Sequence, residues 1–395
     1  MGNRHAVSRR KFLGGVTAMG TAMLARPAWA QQAGAPPSAT AAPAAAAAAA
    51  APRARMTVAE YDAMAKLASN ENPYGPPESV LKAMTEAVKY ANRYGYPDGD
   101  VTRIIAEHHG VKPESILLGA GSGEILDVVG TALLLGGKKV VGVEPSYGSV
   151  YSHATSVKAE AITLPLTKDY RQDMQAIITT TKRHYREVGF VYLCNPNNPT
   201  GVIVTKAEIR TLLDGLPEDM PVLIDEAYHH FVDDPAYATS IPYVIEGRRV
   251  IVARTFSKIA ALAGMRLGYA VAPPDLIQQL RPYETGTVNA MVKWGGAAAI
   301  KDTAAQAHVK QVTIALREQT IARVKALGFD VIPSQANFFM IHLKKPVPPI
   351  IEAFRKQGVA VGRPFPPMTE HLRVSVGTPA EMDRFMDAFT KIMTV

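Results

Sequence analysis

The sequence predicts an α/β fold: a mostly parallel sheet with helices on both faces in a large domain, followed by a smaller α+β C-terminal domain. Three observations carry that expectation. Short apolar runs at 190–193, 222–224, 250–253 and 268–272 alternate with helical stretches, as in strands covered on both faces. Polar residues gather just past the ends of such runs, at 119–123, Tyr147, Asn198, Asp225 and Lys258, where open α/β sheets bind ligands. From about Asn289 a long helical region gives way to strands at 327–332, 337–342, 359–361 and 372–376, with helices at 350–357 and 380–393. That pattern marks a second, smaller lobe. With 395 residues, the chain is long enough to bury cores of this size.

The N-terminal segment stands apart. The formal net charge is +8, yet the first 55 residues hold Arg4, Arg9, Arg10, Lys11, Arg26, Arg53 and Arg55 and no acid. Taking those seven from +8 leaves +1 for residues 56–395. The folded part therefore has no basic footprint, and no nucleic-acid partner is expected. Ser8-Arg9-Arg10-Lys11-Phe12-Leu13 is a twin-arginine pattern. The weakly apolar run 13–25 is too short to span a bilayer, and Ala28-Trp29-Ala30 suits a signal peptidase. The expectation is a signal peptide over 1–30, cleaved after Ala30, that exports the folded chain to the periplasm. Residues 31–55 read as an Ala/Pro-rich disordered linker, 56–75 as an N-terminal arm, 76–288 as the large domain and 289–395 as the small one. Cys194 is the sole cysteine, which rules out an internal disulfide, and its place at the end of an apolar run gives it a packing role.

Order begins near Met56. Residues 67–77 are dense in turn formers and lead into a helix over 78–90. A second turn cluster at 95–100 precedes a helix over 101–109. A strand at 116–118 is followed by Gly119-Ala120-Gly121-Ser122-Gly123-Glu124 and a helix over 125–135. In such an arrangement backbone N–H groups and the helix dipole face an anion. The same loop supports a rival, an NAD-binding oxidoreductase, because Glu144 ends the next strand (139–143) about where a ribose-binding acid belongs. Its third glycine position is Glu124, however, and the rival leaves every downstream motif unused. Tyr147 sits on the next turn, placed either to stack on an aromatic ring or to half-bury in the core.

Thr255-Phe256-Ser257-Lys258 follows the run 250–253, with Arg266 eight residues further on. A lysine on rigid backbone in a partly apolar pocket has a lowered pKa and forms imines. The two hydroxyls and the guanidinium suit a phosphate. Together they point to pyridoxal phosphate, although the stretch alone fits equally a surface lysine followed by a core arginine. Arg373 lies on an apolar strand, so its charge must face a ligand or an ion-pair partner.

Six motifs then fall in one order and spacing over residues 60–395. They are Asn70-Glu71-Asn72-Pro73-Tyr74-Gly75, Asn197-Asn198-Pro199-Thr200-Gly201, Asp225-Glu226-Ala227-Tyr228, Thr255-Phe256-Ser257-Lys258, Ala263-Gly264-Met265-Arg266 and Ala336-Asn337-Phe338. By these the chain resembles the fold-type I pyridoxal phosphate-dependent aminotransferases of class I/II, and within them the histidinol-phosphate aminotransferase group. The resemblance implies pyridoxal 5'-phosphate as cofactor. It implies that an amino group passes between a small-molecule amino donor (an amino acid or a phosphorylated amine such as histidinol phosphate) and a 2-oxo acid acceptor. By the same resemblance, Lys258 would form the internal aldimine and move the proton, Asp225 would face the pyridine nitrogen, and Tyr228 and Asn198 would bond the phenolic oxygen. Tyr147 would stack on the ring, while Gly121, Ser122, Gly123, Thr255, Ser257 and Arg266 would surround the phosphate. A homodimer is implied, with Tyr74 reaching the partner's phosphate, and no metal. Asn72, Asn337, Arg363 and Arg373 would bind substrate.

One stretch departs from the family. Gly362 precedes Arg363 and a Pro-Phe-Pro-Pro run follows it, so the sequence leaves the direction of that arginine open. Histidine biosynthesis is cytoplasmic, so an export signal points to a different amine, aromatic or otherwise bulky. A decarboxylase or lyase on the same fold is the alternative reaction, since it would use the same cofactor site. An exported binding protein with a decayed site is disfavoured by the intact Lys258, Asp225 and arginines.

Overall fold

The computed structural model describes residues 56–286 and 288–393, so the expected signal peptide and linker lie outside the described residues. The strands there are β1 (Ala65–Leu67), β2 (Ile116–Gly119), β3 (Lys139–Glu144), β4 (Glu160–Pro165), β5 (Val188–Cys194), β6 (Val222–Asp225), β7 (Val250–Thr255), β8 (Gly268–Val271), β9 (Asp330–Ile332), β10 (Phe338–His342), β11 (Val359–Val361) and β12 (His371–Ser375). Seven of them form the main sheet, in the order β2-β8-β7-β6-β5-β3-β4. Its strands are parallel except β8, which runs antiparallel to both neighbours.

Both faces of this sheet are covered, which is why its central strands are buried along nearly their whole length and apolar except at their C-terminal ends, where Asp225, Arg254 and Thr255 lie. Val191, Leu193, Val222, Ile224, Val250 and Val252 pack on one side with helices Val101–His109, Met174–Arg183 and Lys206–Gly215. Phe190, Tyr192, Leu223, Ile251 and Ala253 pack on the other with helices Ser122–Leu134, Ser149–Ser156 and Pro274–Leu280. The period-2 alternation thus feeds two cores from one set of strands. Local signals fix the helix starts: Thr205 and Glu208 form a reciprocal capping box ahead of Lys206–Gly215.

The C-terminal lobe has its own core, in which Phe339, Ile341, Phe354, Phe385 and Phe389 meet. Its antiparallel sheet runs β12-β10-β9, and β11 pairs in parallel with β1. Strand β1, in the arm 56–75, is therefore tied to this lobe, with Ala65 and Leu67 buried in its core. Helix Thr303–Ala326 leads into β9. No helix among the described residues is long and apolar enough to cross a membrane.

The strand order overturns the dinucleotide alternative. In that arrangement the strand bearing the acid lies beside the one bearing the glycine loop. Here β8, β7, β6 and β5 separate β2 from β3, so Glu144 lies far across the sheet from the loop that begins at Gly119. Its carboxylate accepts a hydrogen bond from Thr163 Oγ1 at 3.3 Å instead.

Candidate active site

Parallel register brings Cys194, Asp225 and Ala253 side by side at the C-terminal edge of β5, β6 and β7. Alternation puts Asp225 on the face that Leu223 shares, at the point where the helix layer opens. A cavity of about 240 Å3 lies there, lined by Ser122, Gly123, Tyr147, Asp225, Tyr228, Thr255, Ser257, Lys258 and Arg266, and also by Ser69, Glu71, Ala227 and Ala263.

Burial pushes the Asp225 carboxyl up to about 6, against the Ala227 N–H (3.1 Å) and the Lys258 charge, which favour the ionised form. A buried carboxylate without an ion pair calls for a cationic partner. Burial pushes Lys258 the other way, down to about 8, and the nearby charge of Arg373 adds to the effect. The amine donates to the Ser69 carbonyl at 3.1 Å and lies 5.7 Å from the centre of the Tyr228 ring. The Tyr228 hydroxyl accepts from Asn70 Nδ2 at 3.1 Å and Asn198 Nδ2 at 3.3 Å, and burial raises its pKa, so it keeps its proton. Tyr147 presents a half-exposed ring to the cavity.

The other end of the cavity is a cradle of donors. Gly121 has φ +86°, and a Cβ there would lie 2.0 Å from Arg266 Nη2. Only glycine lets that guanidinium lie over the loop. Arg266 takes a left-handed φ of +61° and donates to Ala263 O (2.9 Å), Ala120 O (3.1 Å) and Ser257 Oγ (3.4 Å). Gly268 of β8 makes room from below, since a Cβ would meet Ser122 N at 2.3 Å. Thr255 Oγ1 donates to Ser257 Oγ at 2.9 Å and accepts the Ser257 N–H at 3.1 Å. Helix Ser122–Leu134 starts without a side-chain cap, so its first N–H groups remain for an anion. An anion cradle, a tyrosine face, a buried carboxylate and a low-pKa amine lie around one cavity, and that donor set fits pyridoxal phosphate.

On the substrate side, buried Arg373 of β12 donates to Asn198 Oδ1 at 2.7 Å and to Ala68 O at 2.6 Å. Its Nε is buried without a partner, the signature of a donor awaiting a ligand. Burial lowers its pKa to about 10. Asn337 holds the arm through Asn70 O (3.0 Å), while its own Oδ1 has no partner. Arg363 is exposed and outside the cavity. It donates to the adjacent Pro364 carbonyl and stacks 4.4 Å from the centre of the Phe365 ring, which lies 4.6 Å from the Arg373 guanidinium. Asn72 braces the arm, donating to Ile259 O (2.9 Å) and accepting the Tyr74 N–H (3.0 Å). Tyr74 borders a separate cleft of about 180 Å3 and does not line the cavity.

Sequence reasoning did not single out Ser69, Asn70 and Glu71 as site residues. Asn70 exchanges two hydrogen bonds with Ser375, 2.8 Å each, and adopts φ +55°. The usable signal was an asparagine in a turn-dense stretch, because asparagine tolerates the left-handed region.

Comparison with known proteins places this geometry. Residues 62–389 match the family "Aminotransferase class I and II". The chain is 34% identical to the histidinol-phosphate aminotransferase of Moorella thermoacetica over 335 residues, covering 83% of this chain and 85% of that protein. It is 35% identical to histidinol-phosphate aminotransferase 2 of Methylococcus capsulatus, covering 84% and 90%. Its fold superposes on the histidinol-phosphate aminotransferase of Sinorhizobium meliloti, solved in complex with pyridoxal-5'-phosphate. The TM-score is 0.77 at 27% identity, with 83% of this chain and 90% of that one covered.

Proposed function

The chain belongs to the class I and II aminotransferases, and on that premise we propose that it transfers the amino group of an aromatic or otherwise bulky amino acid to a 2-oxo acid. Pyridoxal phosphate-dependent amino transfer is the activity of the family and of this chain. The observation that favours this donor is the position of Arg363. Arg363 is exposed and donates to the adjacent Pro364 carbonyl, whereas buried Arg373 is the guanidinium bonded to Asn198 beside Tyr228; the Arg363 charge acts on Arg373 without a bond at that end. A single guanidinium suits one carboxylate, whereas a phosphate dianion calls for more. The rival donor is histidinol phosphate, which the names of the relatives support.

When bound, pyridoxal phosphate supplies an electron sink for the substrate Cα. The protein's residues do the rest. Lys258 Nζ, already partly unprotonated near neutral pH, moves the Cα proton. Asp225 would face the ring nitrogen and keep it positive, and Tyr228 and Asn198 would orient the ring oxygen. Ser122, Gly123, Thr255, Ser257 and Arg266 would retain the phosphate, and Tyr147 would cover the ring. Arg373 Nε would receive the substrate carboxylate.

The working unit in this proposal is a homodimer. Tyr94 and Tyr96 are 98% and 84% exposed, and Tyr74 is 42% exposed. Large rings so uncovered suit a protein surface better than solvent. The twin-arginine segment supports export of the folded holoenzyme, with cleavage after Ala30; N-terminal sequencing of exported protein should begin at Gln31, and a start at Met1 or Gly2 would refute it.

A screen of amino donors against several 2-oxo acids tests the donor. Aromatic amino acids should turn over well above histidinol phosphate; the reverse order overturns the proposal.

A further inference from the structure

Glu124 is the third residue of helix Ser122–Leu134, yet its carboxylate turns back over the helix start. Oε2 accepts the Ala120 N–H at 2.5 Å. Oε1 accepts both the Thr285 N–H at 3.0 Å and the Thr285 hydroxyl at 2.5 Å. One side chain therefore ties the glycine loop to residues 284–286, which connect the turn Arg281–Tyr283 to helix Ala290–Lys301 and onward to the C-terminal lobe.

The backbone donors of the loop show the consequence. The Gly121 N–H is taken by Gly119 O at 2.8 Å, and the Ala120 N–H is taken by Glu124. The N–H groups of Ser122 and Gly123, which line the cavity, are left for an anion. Ala120 is held at both ends, because its carbonyl accepts from Arg266 Nη2 at 3.1 Å. A carboxylate this near a phosphate site would repel the ligand if it were free. Donors from both sides occupy its two oxygens, and they hold its pKa below the ordinary value although burial pulls it upward.

We infer that Glu124 is a positioning residue for the cofactor phosphate: it fixes Ala120, and through Ala120 the Arg266 guanidinium, and it couples that cradle to the connection at 284–286. The inference rests on the proposal that this loop holds the phosphate of pyridoxal phosphate. Glutamine at this position keeps the shape but has one acceptor oxygen, so it can serve the loop or Thr285 and not both.

The test titrates the cofactor-free chain with pyridoxal phosphate, read by visible absorbance, and follows amide exchange at 284–286. Glu124→Gln should weaken cofactor binding about 10-fold, the scale of one lost charge-assisted hydrogen bond. Thr285→Val, which removes one donor, should weaken it about 3-fold. The cofactor-free variants should melt with the wild type. Cofactor should slow exchange at 284–286 in the wild type and not in Glu124→Gln. Affinity within twofold of wild type for Glu124→Gln, or lowered stability with unchanged affinity, overturns the inference. If Glu124→Gln does not fold, Thr285→Val decides alone, and unchanged affinity there overturns it. Failure of the wild type itself to bind the cofactor would instead remove the underlying phosphate assignment.

Discussion

Burial moves the two central groups of the site in opposite directions, and each shift makes a prediction. Lys258 titrates near 8 with burial as the main cause and Arg373 next. Its free amine therefore grows between pH 7 and 9. The rate at which the cofactor-free chain captures pyridoxal phosphate should rise over that interval, read by stopped-flow absorbance. Arg373→Leu should move the midpoint to higher pH, since it removes a cation that disfavours the ammonium. Asp225 carries the reverse shift, from 3.8 up to about 6. The protonated acid is favoured in the folded state, so its contribution is present below pH 3.8 and lost as pH rises through 6. Asp225→Asn should therefore stabilise the cofactor-free protein at pH 8, on the order of 2 kcal/mol, and have little effect below pH 4. The same substitution should lower amino transfer at least about 100-fold, because the ring nitrogen loses its counter-charge. A melt at both pH values together with a rate assay checks both halves: equal melts at pH 8 contradict the first, and an unchanged rate the second.

The elements that position these groups are a strand edge and a glycine loop. Gly121→Ala would put a methyl where the Arg266 guanidinium lies, at a φ that L-residues rarely adopt. It should weaken cofactor affinity about 10-fold or more, and affinity equal to wild type would show that the loop does not hold the phosphate. The sequence made β2, β3 and β5–β8 legible because strands covered on both faces leave unbroken apolar runs. β4 was not located: it is an edge strand, exposed at Glu160, Ala161 and Pro165, and leaves no such run. β1 is not legible because three residues, Ala65-Lys66-Leu67, are too few to carry a period, and only pairing with β11 makes them a strand. The site residues were legible wherever a strand ended in a polar residue. Asn70 was not, since its role depends on Ser375 and Tyr228, which are distant in sequence and meet it only in the folded chain. The position of Arg363 was likewise unreadable, because stacking on Phe365 depends on backbone direction through a Gly-Arg-Pro turn.

At the scale of the whole molecule, the two lobes are bonded together beside the site: from the C-terminal lobe Arg373 donates to Asn198 and Asn337 to Asn70, which bonds Tyr228, while Asp225, Lys258 and the glycine loop come from the main sheet. Exposed Tyr74, Tyr94 and Tyr96 set the expectation for assembly. Sedimentation of the holoenzyme should give twice the mass of the chain, and a monomer with full activity would contradict the dimer. Lys258 is the residue on which cofactor attachment and amino transfer both depend. The most direct measurement of that role is borohydride reduction of the holoenzyme, which fixes pyridoxal phosphate to the amine that carries it, followed by peptide mass spectrometry. The phosphopyridoxyl group should be found on Lys258; its appearance on another lysine, or on none, would rule out that role for Lys258.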